Sequence, residues 1–167
     1  MKNNQLLKIM LVSVFLTLIS CKKSVSETIG ISNEEKEEDL TEIKNEVITA
    51  GEMFVIALNN GDSINAANFY AKDAIILRPN NQPIIGRDNI RKAFSKRLAS
   101  GPLRFSMKTT DVWGDKNIMI AEEEWILSDK QGKIIDEGKS LEIFKKEEGK
   151  WKLYRDCFNS NLPSSPK

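Results

Sequence analysis

Apolar side chains return every three or four positions along the stretch between residues 32 and 61. The repeating positions are Leu40, Ile43, Val47, Ala50, Phe54 and Leu58. This spacing places all of them on one side of an α-helix, so that side is expected to face a core. A mainly acidic run over residues 34–39 precedes them, where the helix dipole favours negative charge, and Asn60-Gly61 ends the pattern. The stretch predicts one long amphipathic helix whose acidic start is solvated rather than a cation site.

Two shorter helices and one strand follow in the segment up to residue 99. Asp62 is the predicted N-cap of a short helix over residues 63–71, and the strand DAIILRP occupies residues 73–79. The loop NNQPIIG then leads to a third helix over residues 88–99. The basic residues in and beside that helix are Arg87, Arg91, Lys92, Lys96 and Arg97. Their spacing is typical of an outer helix face, so we interpret them as solvated rather than as a polyanion site.

Beyond residue 103 the pattern changes to long strands separated by turn signals. Turn residues cluster at positions 114–116, 129–132 and 147–149, which predicts three hairpin turns joining four strands. Helices followed by a strand meander are typical of an α+β domain with its helices on one face of an antiparallel sheet. Trp113, Trp125 and Trp151 lie in these strands, and indole rings at such positions are more often core residues than ligand platforms.

Residues 1–20 differ from the rest of the chain, because Lys2 and Lys8 precede the apolar run IMLVSVFLTLI. This run is too short to cross a bilayer core of about 30 Å as a helix, so it predicts a signal peptide. The run leads into LISC, residues 18–21, which resembles the lipobox of bacterial lipoproteins. The resemblance implies that Cys21 is lipidated and begins the mature protein, anchored to a membrane of the bacterial cell envelope. The alternative is ordinary secretion with an incidental cysteine.

These patterns divide the chain into four parts. A signal peptide occupies residues 1–20. Residues 21–39 contain the lipidated cysteine, a flexible polar spacer and the acidic start of the first helix. We expect one domain over residues 40–163, because all the apolar periodicities lie there, and a short tail over residues 164–167.

Composition narrows the chemistry available to the chain. Its 25 Lys and Arg residues balance 24 Asp and Glu residues, so nothing indicates a nucleic-acid partner. The chain has no histidine, which excludes Ser-His-Asp catalysis and the common zinc sites. The acidic triplet at residues 122–124 alternates between the two faces of a strand, so we expect neither a metal site nor a cofactor. Cys157 has no partner if Cys21 carries lipid, and we interpret it as a buried structural thiol.

One long segment carries a family resemblance. It reads FVIALNNGDSINAANFYAKDAIILRPNNQPIIGRDNI and covers residues 54–90. Together with the final strand GKWKLYRDCFNSNLP, it resembles the nuclear transport factor 2 superfamily, in its SnoaL-like and ketosteroid isomerase-like branches. The resemblance covers residues 40–163. It implies a cone, in which a curved antiparallel sheet wraps the long first helix around a mostly apolar cavity for small ligands, and it implies dimers formed through the open sheet face.

The isomerase branch needs a carboxylate base before the proline of the first strand, a tyrosine on the first helix and a protonated acid on a later strand. The resemblance aligns these three positions with Arg78, Phe54 and Leu141. Arginine does not accept a proton near neutral pH, and the other two side chains offer no hydrogen-bond donor. We therefore expect no ketosteroid isomerase chemistry, while the resemblance places Ala74, Ile76 and Arg78 on the cavity face.

The sequence therefore predicts a lipid-anchored domain that binds a small amphiphilic, anionic ligand. Its expected ligand-binding residues are Arg78, Phe54, Tyr70, Trp125 and Asn159. A guanidinium in an apolar pocket needs a partner, which is either the ligand or one of the carboxylates Glu123 and Asp156; otherwise Arg78 lies at an exposed strand end. Two rival functions remain open. One is a small acid-base enzyme, cyclase-, hydrolase- or isomerase-like, that uses Glu123 or Asp156, and the other is a non-catalytic homodimerisation module.

Overall fold

The computed structural model describes residues 33–101 and 103–163 of the 167-residue chain. The elements in chain order are α1 (Asn33–Asn59), α2 (Ser63–Asn68), β1 (Tyr70–Leu77), β2 (Ile84–Ile85), α3 (Arg87–Ala99), β3 (Arg104–Gly114), β4 (Ile118–Ser128), β5 (Ile134–Glu147) and β6 (Lys150–Ser160). The predicted α+β class, with three helices ahead of a strand meander, is confirmed. The signal peptide, Cys21, the spacer and the tail predicted above lie outside the described residues.

The six strands form one curved sheet in the order β2-β1-β6-β5-β4-β3. Strands β3 to β6 are the predicted antiparallel meander, but β6 also pairs with β1 in the parallel sense. The tight turn between β5 and β6 fixes the direction of β6, because Glu148 and Gly149 both have positive φ, as a two-residue hairpin turn requires. The free edge of β6 therefore meets β1 running the same way, and the sheet is mixed.

Helix α1 packs its predicted apolar stripe against the inner face of this sheet. Ile43, Val47 and Phe54 are buried in the same core as Met119 of β4 and Leu153 of β6. No helix within residues 33–101 and 103–163 combines the length and the hydropathy that a membrane crossing requires. The sheet and α1 therefore form the frame that positions the polar residues between them.

The junction between α2 and β1 differs from the sequence prediction. Asp62 caps α2 as expected, since its Oδ1 accepts hydrogen bonds from the backbone N–H groups of Ile64 and Asn65, at 3.1 and 2.9 Å. The helix ends at Asn68, however, because the carbonyl of Phe69 accepts a hydrogen bond from the backbone of Leu153 on β6. Pairing with β6 thus draws Tyr70 into the strand, where its side chain points inward.

Arg87 has a structural role that the predicted solvated helix face did not include. Its Nε donates to the carbonyl oxygen of Tyr70 at 2.7 Å, and its guanidinium pairs with Glu147 at the end of β5. The other oxygen of Glu147 accepts from the backbone N–H of Lys72 at 2.8 Å. Arg87 therefore joins the start of α3 to β1 and to the β5–β6 turn, whereas Arg91 is exposed as predicted.

The prediction of a buried Cys157 is wrong, because its thiol is exposed. Side chains alternate between the faces along β6, so the burial of Asp156 on the inner face sends its neighbour outward. In register, Cys157 lies between Leu77 of β1 and Leu141 of β5, which are also exposed. These residues belong to the outer face of the sheet.

Candidate functional site

A cavity of about 340 Å³ lies between α1, α3 and the inner face of the sheet. Most of its wall is apolar, and its polar groups are buried carboxyls and hydroxyls or residues nearer the surface. The lining side chains are Phe54, Leu58, Tyr70, Ile76, Arg78, Ile84, Ala93, Phe94, Arg97, Phe105, Met107, Trp125, Leu127, Asp136, Ser140, Glu142, Asp156 and Phe158. The volume and the mixture of an apolar wall with a few polar groups are typical of a small-molecule site.

Phe54 is the centre of the aromatic wall. Its ring makes edge-to-face contacts with Tyr70 and Phe105, with centroid distances of 5.8 and 6.1 Å, and its centroid lies 5.9 Å from that of Phe94. On its other side it stacks on the buried ring of Phe69 at 4.9 Å. Because each ring is held by the next, this wall is preorganised rather than assembled around a ligand.

Tyr70 and Asp156 form a hydrogen-bonded pair in the buried part of the cavity. The Tyr70 hydroxyl donates to Oδ2 of Asp156 at 2.8 Å. Burial raises the pKa of Asp156 to about 6, although the bond from Tyr70 opposes this shift. Burial also raises the pKa of Tyr70 well above its usual range, and the charge of Asp156 adds to that effect. The hydroxyl of Tyr70 therefore keeps its proton, and the carboxyl that accepts its hydrogen bond has a pKa of about 6.

Glu142 is the second acid of the cavity, and sequence reasoning missed it. It is 4% exposed and lies opposite Asp156 in the β5–β6 register. Ser140 Oγ lies 3.5 Å from its Oε1, while its buried Oε2 has no hydrogen-bond partner among the described residues. Burial raises the pKa of Glu142 well above its ordinary value, and the nearby charges of Asp156 and Glu123 raise it further. Burial and these neighbouring charges thus favour the protonated form of Glu142.

The expectation that Leu141, aligned with the third isomerase position, is part of the cavity wall is wrong. Leu141 is 46% exposed on the outer face of the sheet, and the inward position belongs to Glu142. The inference that the cavity wall carries no acid at this position falls with it. Arg78 and Phe54, the other two aligned residues, do line the cavity.

Glu123 is buried next to this cavity without being part of its wall. It is 4% exposed, accepts a hydrogen bond from Thr109 Oγ1 at 3.0 Å, and has Ser140 of β5 as its register partner. Burial raises the pKa of Glu123 to about 7, and the bond from Thr109 opposes the shift. In the part of the chain that the structure describes, no three Cys, Asp or Glu side chains are grouped to hold a metal ion.

Two arginines line the exposed side of the cavity. Arg78 Nη2 donates to the carbonyl of Gln82 at 3.2 Å, and Arg97 Nη1 donates to Ser100 Oγ at 3.0 Å. Neither side chain has a carboxylate partner anywhere in residues 33–101 and 103–163, so the suggested pairing of Arg78 with Glu123 or Asp156 does not occur. Both guanidinium groups are exposed and keep donor capacity at the opening.

The indole of Trp125 occupies space that a side chain on the facing residue, Gly138, would fill. It faces Gly138 in the β4–β5 register, and a Cβ on Gly138 would lie 2.4 Å from Cζ2 of its ring and 1.9 Å from the carbonyl oxygen of Asn159. The absent side chain lets the indole lie over β5 and meet Phe158 edge-on at 5.9 Å. Its Nε1 is buried and has no hydrogen-bond partner among the described side and main chains.

The structure brings together most of the predicted site residues. Phe54, Tyr70, Arg78 and Trp125 line one cavity with Asp156. Glu123 lies beside that cavity, and Asn159 is exposed and absent from its wall. Glu142 was missed because its outward neighbours on β5, Leu141 and Ile143, are apolar and hide the alternation that would reveal an inward acid.

A larger and more open groove of about 870 Å³ runs along α1 beside the β5–β6 turn. Its wall contains Met53, Ile56, Trp151 and solvated charged residues such as Glu46 and Lys150. Glu123, Glu142 and Asp156, the acids with raised pKa, are all absent from its wall. We therefore assign the candidate site to the smaller cavity, where perturbed acids and an apolar wall coincide.

Comparison with protein families identifies this architecture. The profile of the SnoaL-like domain matches residues 51–154. This range includes Phe54 with the rings around it, and the whole of strands β3, β4 and β5. This chain belongs to the SnoaL-like domain family. No curated protein matches the sequence of this SnoaL-like chain significantly.

Solved structures of chains with little sequence similarity show the same fold. A Mycobacterium tuberculosis protein of unknown function is 18% identical, over 75% of this chain and 75% of that chain, with a TM-score of 0.64. A Nostoc punctiforme protein of unknown function with a cystatin-like fold is 18% identical, over 74% and 93%, with a TM-score of 0.65. A ketosteroid isomerase-like protein from Erwinia carotovora atroseptica is 15% identical, over 73% and 98%, with a TM-score of 0.61. At these identities the likeness concerns the fold alone.

Proposed function

We propose that this SnoaL-like domain binds a small amphiphilic molecule in the cavity between α1, α3 and the sheet. The observation that carries the proposal is that polar groups lie at both ends of the cavity, with an apolar wall between them. Aromatic rings form the wall, Arg78 and Arg97 lie at the exposed side, and Glu142 and Asp156 lie at the buried end. Such a site receives an apolar body and fixes it by polar groups at its ends.

We propose that this ligand carries an anionic group at the end that lies near Arg78 and Arg97. Arg78 and Arg97 have no carboxylate partner within the described chain, and each presents a planar guanidinium that suits a carboxylate or a similar group. Since both side chains are exposed before binding, the ligand does not have to break a buried ion pair to reach them.

Calorimetric titration with 4-phenylbutyrate tests this proposal, with 4-phenylbutan-1-ol as the neutral probe. Arg78→Ala should weaken the carboxylate by about 1.5 to 3 kcal/mol, the range for a hydrogen bond to a charged group, and Arg78→Lys should recover only part of it. Arg91→Ala is the matched control, because Arg91 is an exposed arginine outside the cavity wall. Equal affinities in Arg78→Ala and the control would refute the anion site, and absence of binding by both probes would refute the cavity function.

Acid-base catalysis is the second candidate function. It is favoured by one pair of neighbours, Asp156 with a pKa of about 6 and Glu142 with a pKa held well above its usual range. These pKa values favour an ionised Asp156, which can accept a proton, beside a protonated Glu142, which can donate a hydrogen bond. Asp156 is the better candidate base than Glu123, because only Asp156 lines the cavity.

Deuterium exchange at the carbon next to the carbonyl of 4-phenylbutan-2-one, followed by NMR in D2O, tests this catalysis. Acceleration by the protein that is lost in Asp156→Asn and kept in the outer-face control Glu124→Gln would support a proton-transfer enzyme. Exchange at the rate of the buffer alone would leave the domain with binding as its function.

Membrane anchoring and self-association complete the proposed function. Lipidation of Cys21 would place the domain at a membrane of the bacterial cell envelope, and mass spectrometry of the native protein should then find an acylated amino-terminal cysteine. An unmodified terminus would contradict this.

A homodimer would form through the outer sheet face, where Trp113, Ile126 and Leu141 are exposed, and sedimentation of Leu141→Lys against the parent chain tests it.

A further inference from the structure

The hydroxyl groups at the buried end of the cavity are turned toward protein carboxyls. The Tyr70 hydroxyl donates to Asp156, and the Ser140 hydroxyl lies beside Oε1 of Glu142. Next to the wall, the Thr109 hydroxyl donates to Glu123. A ligand that entered this end would therefore meet acceptor atoms rather than free hydroxyl donors.

These acceptors have no counter-charge in the part of the chain that the structure describes. Its ion pairs join Lys72 to Glu148, Arg87 to Glu147 and Lys145 to Asp73, which leaves out every buried acid of the cavity. Oε2 of Glu142 is buried and unpartnered. By contrast Asp136, the third acid in the wall, is satisfied by Ser160 Oγ at 2.6 Å and by the backbone N–H of Glu137 at 2.8 Å. Buried carboxyls in this state need either a proton or a cation.

A second observation points to a ligand independently of these acids. Trp125 is 8% exposed, lines the cavity, and has an indole N–H without a partner among the described residues. Its ring, together with Phe54, Phe94 and Phe105, surrounds the space with aromatic faces and edges. Aromatic faces attract organic cations, while the indole N–H suits an oxygen atom of the same molecule.

We propose that the buried end of the cavity binds the protonated amine of the ligand, with Glu142 and Asp156 as its acceptors. An ammonium group has three N–H donors and no acceptor, which complements an end of the cavity where the free positions are acceptors. This inference rests on the proposed function and adds the chemical class of the inner group. The complete ligand then has an amine at its inner end and an anionic group near Arg78.

The raised pKa values of the two acids agree with this assignment. Burial without a cationic partner raises the pKa of Asp156 to about 6 and that of Glu142 well above its usual range. A bound ammonium would lower both, so proton release should accompany binding of an amine at pH 6. Glu123 and Tyr70 are the other titratable groups that face these acids, and the same cation would lower the pKa of each.

Three matched probes test the assignment by calorimetry at pH 7: 4-phenylbutylamine, 4-phenylbutan-1-ol and 4-phenylbutan-2-one. We expect the amine to bind about tenfold more tightly than the alcohol, because its hydrogen bonds are charge-assisted. Glu142→Gln keeps the shape but cannot ionise beside the bound ammonium, so it should weaken the amine about tenfold and change the alcohol by no more than about twofold. Glu124→Gln, on the exposed outer face of β4, is the control and should change neither.

Repeating the amine titration at pH 6 in two buffers of different ionisation enthalpy measures the released protons, and thermal melts show whether each variant is folded. If the ketone or the alcohol binds at least as tightly as the amine, the acids act as neutral donors and the amine assignment is wrong while the cavity function stands. An amine affinity that Glu142→Gln leaves unchanged would overturn it in the same way. If none of the three probes binds, both the assignment and the cavity function are refuted.

Discussion

Glu142 and Asp156 lie opposite each other on β5 and β6, and Oδ2 of Asp156 accepts a hydrogen bond from the hydroxyl of Tyr70. Two neighbouring carboxyls in apolar surroundings do not both ionise easily, because neither charge is solvated and each repels the other. The hydroxyl bond decides which of them keeps the charge. Asp156 receives it, and Glu142 has only the long contact with Ser140.

Tyr70→Phe should therefore raise the pKa of Asp156 above about 6, since the bond from Tyr70 is what lowers it. The substitution leaves a buried acceptor without its donor, so the free energy of unfolding should fall by about 1 to 3 kcal/mol. Carbon-13 NMR titration of the carboxyl and urea unfolding measure the two effects. Tyr154→Phe is the control, because Tyr154 is partly exposed and outside the cavity wall. A pKa of Asp156 that is the same in both variants would contradict the role of Tyr70.

Through these two acids, Glu123 and Asp156, stability should fall as the pH rises from 3.8 to about 7. Their pKa values in the folded protein are about 7 and about 6, above the ordinary values of 4.5 and 3.8. In this interval the folded state binds more protons than the unfolded state, so raising the pH favours unfolding. Urea unfolding at pH 5 and pH 8 measures the difference.

Glu123→Gln should reduce this loss of stability, because the amide has no proton to release. Glu124→Gln should leave it unchanged, since Glu124 is exposed on the opposite face of β4. A chain that is more stable at pH 8 than at pH 5 would show that these acids ionise in the folded state as they do in water.

Gly138→Ala should destabilise the fold and disturb the cavity together. The added Cβ would collide with backbone at Asn159 and with the ring of Trp125, and neither can yield cheaply. Overpacking of this kind costs about 1 to 3 kcal/mol, and the fluorescence of Trp125 should change because its ring must move. Lys139→Ala, at the exposed neighbouring position, should have almost no effect. Equal unfolding free energies for the two variants would disprove the close approach.

Arg87→Ala should lower the free energy of unfolding by about 1 to 3 kcal/mol, because it leaves the Tyr70 carbonyl and Glu147 without their shared donor. Thermal and urea unfolding measure the loss. Arg91→Ala, on the same helix, is the control and should change stability by less than about 0.5 kcal/mol. Equal losses in the two variants would mean that the guanidinium of Arg87 is solvated after all.

The fold was largely predictable because its signals are local. The stripe from Leu40 to Leu58, the cap at Asp62 and the turn at Glu148-Gly149 each depend on a few adjacent residues. The parallel pairing of β1 with β6 was not predictable from such signals, because it joins segments far apart in the chain. The earlier start of β1 at Tyr70 has the same cause, since pairing with β6 overrides the helical pattern there.

The candidate site was predictable only in part, for a related reason. Phe54, Tyr70, Arg78 and Trp125 follow from periodicity and from the family resemblance, and all line the cavity. The inward direction of Glu142 could not be read from β5, because both faces of that strand carry apolar residues. Asn159 is the converse case, since it is polar and close to Asp156 in sequence but is exposed and absent from the cavity wall.

The position of β6 between β1 and β5 also determines when, during synthesis of the chain, the cavity can form. Tyr70 and Asp156, which meet inside the finished molecule, are separated by 86 positions, and β6 is synthesised after the other five strands of this sheet. Until it arrives, β1 and β5 both have open edges, and the contacts that close the sheet are among the slowest kind to form. A nascent chain of this protein therefore has no closed pocket until β6 has been synthesised and has paired with both neighbours.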